Sequence, residues 1–246
     1  MSGHSKWSTI KHKKGALDAK RGRIFTRLIK EITVAARMGG GNAEGNPRLR
    51  AAIQEAKSNN MPADNIKRAI QKGTGELPGV AYEEKTYEGY GPGGAAILIQ
   101  AVTDNGNRTT SELRHLLTKH GGNLAEANSV AWMFERKGYI VVARSDASED
   151  RLLEIILEAG GEDLRVDGEN FEVYTAPEAL ETVRKALDVN KIPASVAEIS
   201  MIAQNEVRVE GKKAHQMLGL MEAVEDHDDV QKVFSNFDID ESEIQT

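Results

Sequence analysis

The sequence predicts an α+β protein in which a small helical domain at the amino terminus is followed by two α/β domains, one ferredoxin-like and inserted in the other. Three observations support this fold class. Apolar residues recur every three or four positions up to about residue 75, which is typical of amphipathic helices. Runs of β-forming residues then alternate with helical stretches. One later stretch follows the order β-α-β-β-α-β, which is the ferredoxin-like motif.

The first domain is expected to span residues 1–78 and to contain three short helices. The first helix is predicted at about 17–37, where a glycine run ends it. Asn46 followed by Pro47 predicts the start of the second, because an asparagine side chain caps backbone N–H groups and proline suits the first helical position. The third helix is expected within 62–73.

The middle domain is expected to be discontinuous, with residues 79–136 completed by residues 206–246. Neither part alone offers enough helix to cover its strands, which is why we join them. The first part predicts strands at 82–90, 95–102 and 129–134, and a helix that begins with a capping box of Thr109 and Glu112. The second part predicts a strand at 206–209, a helix at 212–224 and a strand at 230–237.

The segment from Gly89 to Gly94 matches the G-x-G-x-x-G pattern of dinucleotide-binding sites. Such a site requires the glycines to follow a strand and open a helix, whose amino terminus holds the phosphates. A run of β-formers follows these glycines instead. The pattern therefore predicts a hairpin loop, and we expect no cofactor.

The third domain, residues 137–205, carries the ferredoxin-like motif within the discontinuous middle domain. Its apolar pattern is typical of four strands and two helices, with a hairpin turn at Asp167 and Gly168. The strands are expected at 139–143, 163–166, 171–174 and 195–202, and the helices at 148–159 and 177–189.

Charge is distributed unevenly along the 246 residues, whose formal net charge is −6. Residues 1–72 contain 16 Lys and Arg against 5 Asp and Glu, which gives +11. The remaining residues contain 16 basic and 33 acidic side chains, which gives −17. Such asymmetry indicates that the amino-terminal part binds a polyanion.

The basic residues of the first 37 positions are the candidate binding site. On the first helix they recur opposite the apolar stripe, with Glu31 almost the only acid among them. A solvated helix face usually mixes both signs, whereas a one-signed stripe is typical of nucleic-acid binding. The candidate nucleic-acid-binding residues are Lys6, Trp7, Lys11, Lys13, Lys14, Lys20, Arg21, Arg23, Arg27, Lys30 and Arg37. Trp7 either stacks on a base or anchors its segment to the helical domain.

The sequence carries none of the usual signatures of catalysis. The absence of cysteine excludes disulfides, thiolate nucleophiles and Cys-ligated zinc. We find no nucleophile–base pair and no phosphate-binding loop. His115 and His120 are five residues apart and diverge around a helix, so no metal site is expected there. The acidic stretches 222–229 and 238–243 lack the pattern of a calcium loop, which favours a solvated acidic face.

The polar, basic amino terminus differs from a secretory signal, and no apolar run is long enough to span a membrane. We therefore expect a cytoplasmic protein with neither membrane contacts nor a small-molecule substrate. The sequence does not predict its oligomeric state, and a monomer is compatible with it.

Four segments together resemble the YebC/PmpR family over the whole chain: Gly3–Trp7, Asn46–Ala51, Tyr87–Gly94 and Gly122–Leu124. The resemblance implies one helical and two α/β domains, with the basic amino-terminal domain as the nucleic-acid contact. Members of the family are described as DNA-binding transcriptional regulators. Others, including mitochondrial relatives that activate translation of cytochrome oxidase, are described as ribosome-associated activators.

The resulting hypothesis is a non-enzymatic, nucleic-acid-binding regulator of gene expression, with DNA as the target and transcription as the process. The alternative is a ribosome-associated translational activator that binds ribosomal RNA, because charge alone does not separate the two polyanions. A protein-binding adaptor acting through the acidic α/β part is a third hypothesis.

Overall fold

The computed structural model describes residues 17–240, with side chains from residue 22 onward. This part of the chain divides into two compact units. One unit comprises residues 17–131 together with 206–240, and the other comprises residues 132–205.

Three helices form the start of the first unit: α1 (Leu17–Gly39), α2 (Pro47–Ser58) and α3 (Ala63–Thr74). Asn46 caps α2 as predicted, because its side chain accepts a hydrogen bond from the Leu49 N–H at 3.1 Å. Its amide group also donates to the carbonyl oxygens of Ala35 and Gly40. One buried asparagine thus fixes the end of α1 against the start of α2. The helices share a core of Leu28, Ile32, Ala35, Leu49, Ala52, Ile66 and Ala69.

Gly73 lets α3 approach α1 closely. A Cβ atom at this position would lie 2.4 Å from the Thr33 carbonyl oxygen and 2.8 Å from the Ala36 Cβ. The Thr33 hydroxyl also donates to the carbonyl of Ala69 at 3.3 Å. The two helices therefore pack almost backbone to backbone, which fixes the direction that the outer face of α3 takes.

The rest of this unit contains the strands β1 (Glu83–Tyr90), β2 (Ala96–Thr103), β3 (Asn123–Leu124) and β9 (Val230–Ser235), with a short parallel pair of β8 (Val207–Arg208) and β10 (Phe237–Asp238). The first four form an antiparallel sheet in the order β3-β1-β2-β9. Strand β9 pairs with β2, so the carboxyl-terminal part of the chain completes the sheet that β1 and β2 begin. The helices α4 (Gly106–Lys119) and α7 (Lys212–Glu225) share a core with the sheet.

The second unit has the ferredoxin-like order. Its elements are β4 (Phe134–Ala143), α5 (Glu149–Glu158), β5 (Gly161–Asp167), β6 (Asn170–Thr175), α6 (Leu180–Val189) and β7 (Ala194–Ala203). The antiparallel sheet runs β5-β6-β4-β7, and the two helices pack on a core that includes Ile140, Val173 and Leu187. The predicted fold class is therefore confirmed. The exact limits of the three domains stay predictions.

The glycine-rich segment forms the predicted hairpin connection. A 3-10 turn at Pro92–Gly94 joins β1 to β2, and both Gly93 and Gly94 have positive φ angles, of 84° and 82°. Glycine suits such angles because it has no side chain to clash with the backbone.

Two predicted elements were wrong. The helix α4 begins at Gly106 rather than near Thr109, because the Asn105 side chain caps it by accepting from the Arg108 N–H at 3.1 Å. Residues 131–133 form a 3-10 turn rather than a strand. The buried Glu88 carboxylate accepts hydrogen bonds from the backbone N–H groups of Val130 and Ala131, at 2.6 and 2.8 Å. Those groups are consequently unavailable to a neighbouring strand.

None of the helices in the described chain combines the length and the apolar composition needed to cross a bilayer.

Candidate nucleic-acid interface

The predicted binding residues fall into three groups. Lys6, Trp7, Lys11, Lys13 and Lys14 lie outside the described residues. Lys20 and Arg21 lie on α1, where the backbone is described. Arg23, Arg27, Lys30 and Arg37 are described with their side chains, and they occupy different environments.

Lys30 is buried, although the sequence predicted it on the exposed basic stripe of the first helix. Its ammonium donates to the Asp229 carboxylate at 2.6 Å and to the carbonyl of Asp228 at 2.9 Å. The Tyr82 ring lies beside it, with its centroid 5.8 Å from Nζ. The predicted exposure is therefore wrong for Lys30, because its ammonium pairs with the Asp229 carboxylate in the segment after α7.

Asp229 is the centre of a buried polar network. Its second carboxylate oxygen accepts hydrogen bonds from the Thr109 hydroxyl at 2.7 Å and from the Arg108 guanidinium at 2.9 Å. Burial raises the pKa of Asp229, but the hydrogen bonds from Lys30, Arg108 and Thr109 outweigh it and hold the pKa well below its usual range. The carboxylate is thus ionised, and it joins α1, α4 and the segment after α7.

Arg23 and Arg27, on the same basic face of α1, lie near the same acidic segment. Arg23 forms an ion pair with Asp226 at 2.6 Å, and both side chains are half-exposed. Arg27 is half-buried, and its Nε has no hydrogen-bond partner among the described residues. Burial lowers the pKa of Arg27, an effect that the nearby carboxylates of Glu225 and Asp226 oppose. The basic face of α1 therefore meets acids of its own chain.

Arg48 is a further connection that the sequence analysis did not identify. Its guanidinium donates to both carboxylate oxygens of Glu31 on α1, at 2.6 and 2.9 Å. It also donates to both carboxylate oxygens of Glu84 on β1, at 3.2 and 2.7 Å. These hydrogen bonds raise the pKa of Arg48 and lower that of Glu84. Arg48 thus joins the helices to the sheet.

A different set of cations remains exposed on the helices. Arg37 is the one member of the predicted site that is both described and exposed. The exposed cations on the described helices α1, α2 and α3 are Arg37, Arg50, Lys57, Lys67, Arg68 and Lys72. None of the six forms an ion pair within the part of the chain that the structure describes. Ile66 and Ala69 of α3 are buried, and the helical period accordingly places Lys67, Arg68 and Lys72 outward.

Two family models together match most of this chain. The family model described as the TACO1/YebC protein N-terminal domain matches residues 5–76, and the model of the TACO1/YebC second and third domain matches residues 82–237. The chain belongs to the TACO1/YebC family. The predicted resemblance to YebC/PmpR proteins is thereby confirmed.

Several other proteins match this chain along almost their whole length. A protein of Acidobacterium capsulatum is 61% identical over 99% of this chain and 98% of its own, and one of Koribacter versatilis is 60% identical over 100% and 98%. Both are named probable transcriptional regulatory protein. The crystal structure of a conserved hypothetical protein of Aquifex aeolicus superimposes with a TM-score of 0.81, at 49% identity over 93% of this chain and 95% of that one.

One cluster in this TACO1/YebC chain has the residue types of a metal site. Ligand atoms of Glu112, His227 and Asp229 lie within 4.8 Å of one another. However, the His227 Nδ1 accepts from the Asp229 N–H at 3.1 Å, which leaves Nε2 as the donor to Glu112 at 2.9 Å. Both oxygens of the Asp229 carboxylate already form ion pairs, one with Lys30 and the other with Arg108. The arrangement fits a hydrogen-bonded chain that fixes the acidic segment.

Proposed function

We propose that this protein is a non-enzymatic regulator of gene expression that binds nucleic acid, with DNA as its target and transcription as the process. The observation that carries this proposal is the group of six exposed cations on α1, α2 and α3 that have no ion-pair partner in the described chain. The names of the relatives support a regulatory role.

Exposed, unpaired cations are suited to phosphate binding for a physical reason. When lysine and arginine neutralise phosphates, condensed counterions are released, and this release supplies affinity that depends on salt. Such contacts position a protein on the nucleic acid without reading its sequence. The described helices thus supply affinity, and selection of particular sites requires further contacts.

The basic segment before α1 is a second part of the proposal. Lys6, Lys11, Lys13 and Lys14 precede α1 in the sequence and add to the positive charge of this part of the chain, as do Lys20 and Arg21 at the start of α1. Trp7 offers an aromatic ring that stacks on an unpaired base. We propose that this segment extends the contact beyond the exposed helix faces, in a cytoplasmic protein.

Crosslinking in cells, followed by sequencing of both the DNA and the RNA recovered with the full-length protein, tests the proposal. We expect recovery of discrete DNA regions near transcription start sites. Recovery of ribosomal RNA without DNA would replace transcription by translation as the process, and we would then expect co-sedimentation with ribosomal subunits after DNA digestion. Recovery of neither nucleic acid would overturn the proposal.

A further inference from the structure

We propose that the phosphate backbone of the nucleic acid lies on the outer face of α3 and its two flanks, and that the basic face of α1 is a structural contact. We call Arg37, Lys57, Lys67, Arg68 and Lys72 the α3 surface. This inference rests on the proposed function and specifies where its site lies.

The outer face of α3 is basic over its last two turns. Ile66 and Ala69 are buried against the neighbouring helices, whereas Lys67, Arg68 and Lys72 are exposed. At 3.6 residues per turn, these three cations cover an arc of about 140° on the side away from the core. Asp64 is the acidic residue of this helix and lies in its first turn, where it complements the helix dipole.

A groove on each side of α3 carries one more exposed cation. Lys57 of α2 and Lys67 of α3 line the first groove, together with the apolar Ile66 and one acid, Glu76. Arg37 of α1 and Lys72 of α3 line the second. Four of the five cations therefore border the two grooves, and Arg68 lies on the ridge that α3 forms between them.

Binding a phosphate has a different electrostatic cost on α1 and on the α3 surface. For Lys30 to bind a phosphate, it would have to leave the Asp229 carboxylate, and a buried charge without its partner is strongly destabilising. The residues of the α3 surface form no ion pair in the described chain, so phosphate binding there breaks none.

The shape of the ridge favours duplex DNA. An α-helix with its side chains is about 10–12 Å across, and the major groove of B-DNA is about 12 Å wide. With α3 directed toward such a groove, the flanking cations Lys57 and Arg37 lie on opposite sides of it, where the phosphates of the two strands are found. Arg68 and Gln71 on the ridge are of the residue types that read base edges.

The test measures binding of the full-length protein to duplex DNA, and to single-stranded RNA of the same sequence, across a series of salt concentrations. The variant carries Lys67→Glu, Arg68→Glu and Lys72→Glu. The matched control carries Arg114→Glu, Lys119→Glu and Lys213→Glu, three exposed cations on α4 and α7 with no ion pair in the described chain. Both variants change the net charge equally.

We expect the α3 variant to bind duplex DNA at least tenfold more weakly than the control. We also expect the slope of log affinity against log salt, which is negative, to become smaller in magnitude by about 3, because each lost phosphate contact removes about 0.9. The single variant Arg23→Gln is expected to keep the slope of the unmodified protein. The unmodified protein could instead bind RNA and not duplex DNA, with RNA binding lost in the α3 variant. That result would support the α3 surface as the binding site and contradict duplex DNA as its ligand.

Equal binding by the α3 variant and the control would overturn the inference and leave the proposed function intact, whereas failure of the unmodified protein to bind either polymer would overturn the proposed function itself. If the salt dependence of binding is weaker in Arg23→Gln than in the unmodified protein, the phosphate contact lies on α1. If circular dichroism shows that the glutamate variant is unfolded, the variant with glutamine at the same three positions decides, with the same expected fall in slope.

Discussion

Helices α1 and α3 belong to the same small domain and both carry a stripe of basic residues, yet their surroundings differ. On α1, Arg23 and Lys30 pair with carboxylates at 226–229. On α3, Lys67 and Arg68 are exposed and have no such partner in the described chain. The comparison teaches that a basic helix face is a binding surface only if the rest of the chain leaves it uncovered.

The same comparison separates stability from function. The α1 contacts join the helices to the sheet, so their loss is expected to lower the free energy of unfolding. The α3 contacts are made with solvent, so their loss is expected to change binding and leave stability nearly unchanged.

The largest effect is expected from Asp229→Ala. This substitution leaves the buried Lys30 ammonium without its carboxylate and removes a partner of Arg108. Removing one member of a buried ion pair costs about 3–5 kcal/mol of unfolding free energy. Urea unfolding monitored by circular dichroism measures this change.

Asp226→Ala is the matched control, because it removes the half-exposed partner of Arg23 from the same segment. An exposed pair is worth about 0.2–1 kcal/mol. Equal losses for the two substitutions would show that the Lys30–Asp229 contact is not buried in solution.

Acidification is expected to remove the contribution of Asp229 gradually. Its pKa in the folded protein lies below the unfolded value of about 3.9. The stabilisation is therefore complete at pH values above the unfolded pKa and declines as the pH falls through it toward the folded pKa. The difference in unfolding free energy between the unmodified protein and Asp229→Ala should be constant from pH 7 to pH 5 and smaller at pH 3. A constant difference over the whole range would contradict the assignment.

Gly73→Ala tests whether the close approach of α1 and α3 is needed. The added methyl group would meet the Thr33 carbonyl oxygen at 2.4 Å, and overpacking of this kind costs about 1–3 kcal/mol. Gly22→Ala on α1 is the control, because nothing lies within 4 Å of its Cβ position. That substitution should stabilise the protein by about 0.5–1 kcal/mol through helix propensity. Thermal unfolding distinguishes the two, and stabilisation by both would rule out the close contact.

Much of the fold was predictable because it depends on local patterns. The Asn46 cap, the glycine hairpin and the ferredoxin-like order follow from turn residues and apolar periods, and the structure confirms each of them. The two wrong elements have a common cause. Side chains compete for the backbone groups in question, through Asn105 at the start of α4 and Glu88 before β4.

The site was harder to predict, since its main contact is not local. Lys30 and Asp229 lie 199 residues apart in sequence, and no helical period indicates which carboxylate meets which cation. The periodicity correctly placed Lys30 opposite the apolar stripe, but it did not show that another part of the chain covers that face. Lys67 and Arg68 carried the same kind of pattern, and only the three-dimensional arrangement distinguishes them from Lys30.

The smallest effect on stability is expected from Lys67→Ala, and this makes it the sharpest test of the comparison. An exposed side chain without an ion pair in the described chain contributes little, so the unfolding free energy should stay within about 0.5 kcal/mol of the unmodified protein. The slope of log affinity against log salt for duplex DNA should nevertheless become smaller in magnitude by about 1, as expected for one lost phosphate contact. Urea unfolding and salt-dependent binding on the same preparation measure both quantities. A destabilised protein with an unchanged slope would assign Lys67 the structural role that we give to Lys30, and the distinction between the two helices would be lost.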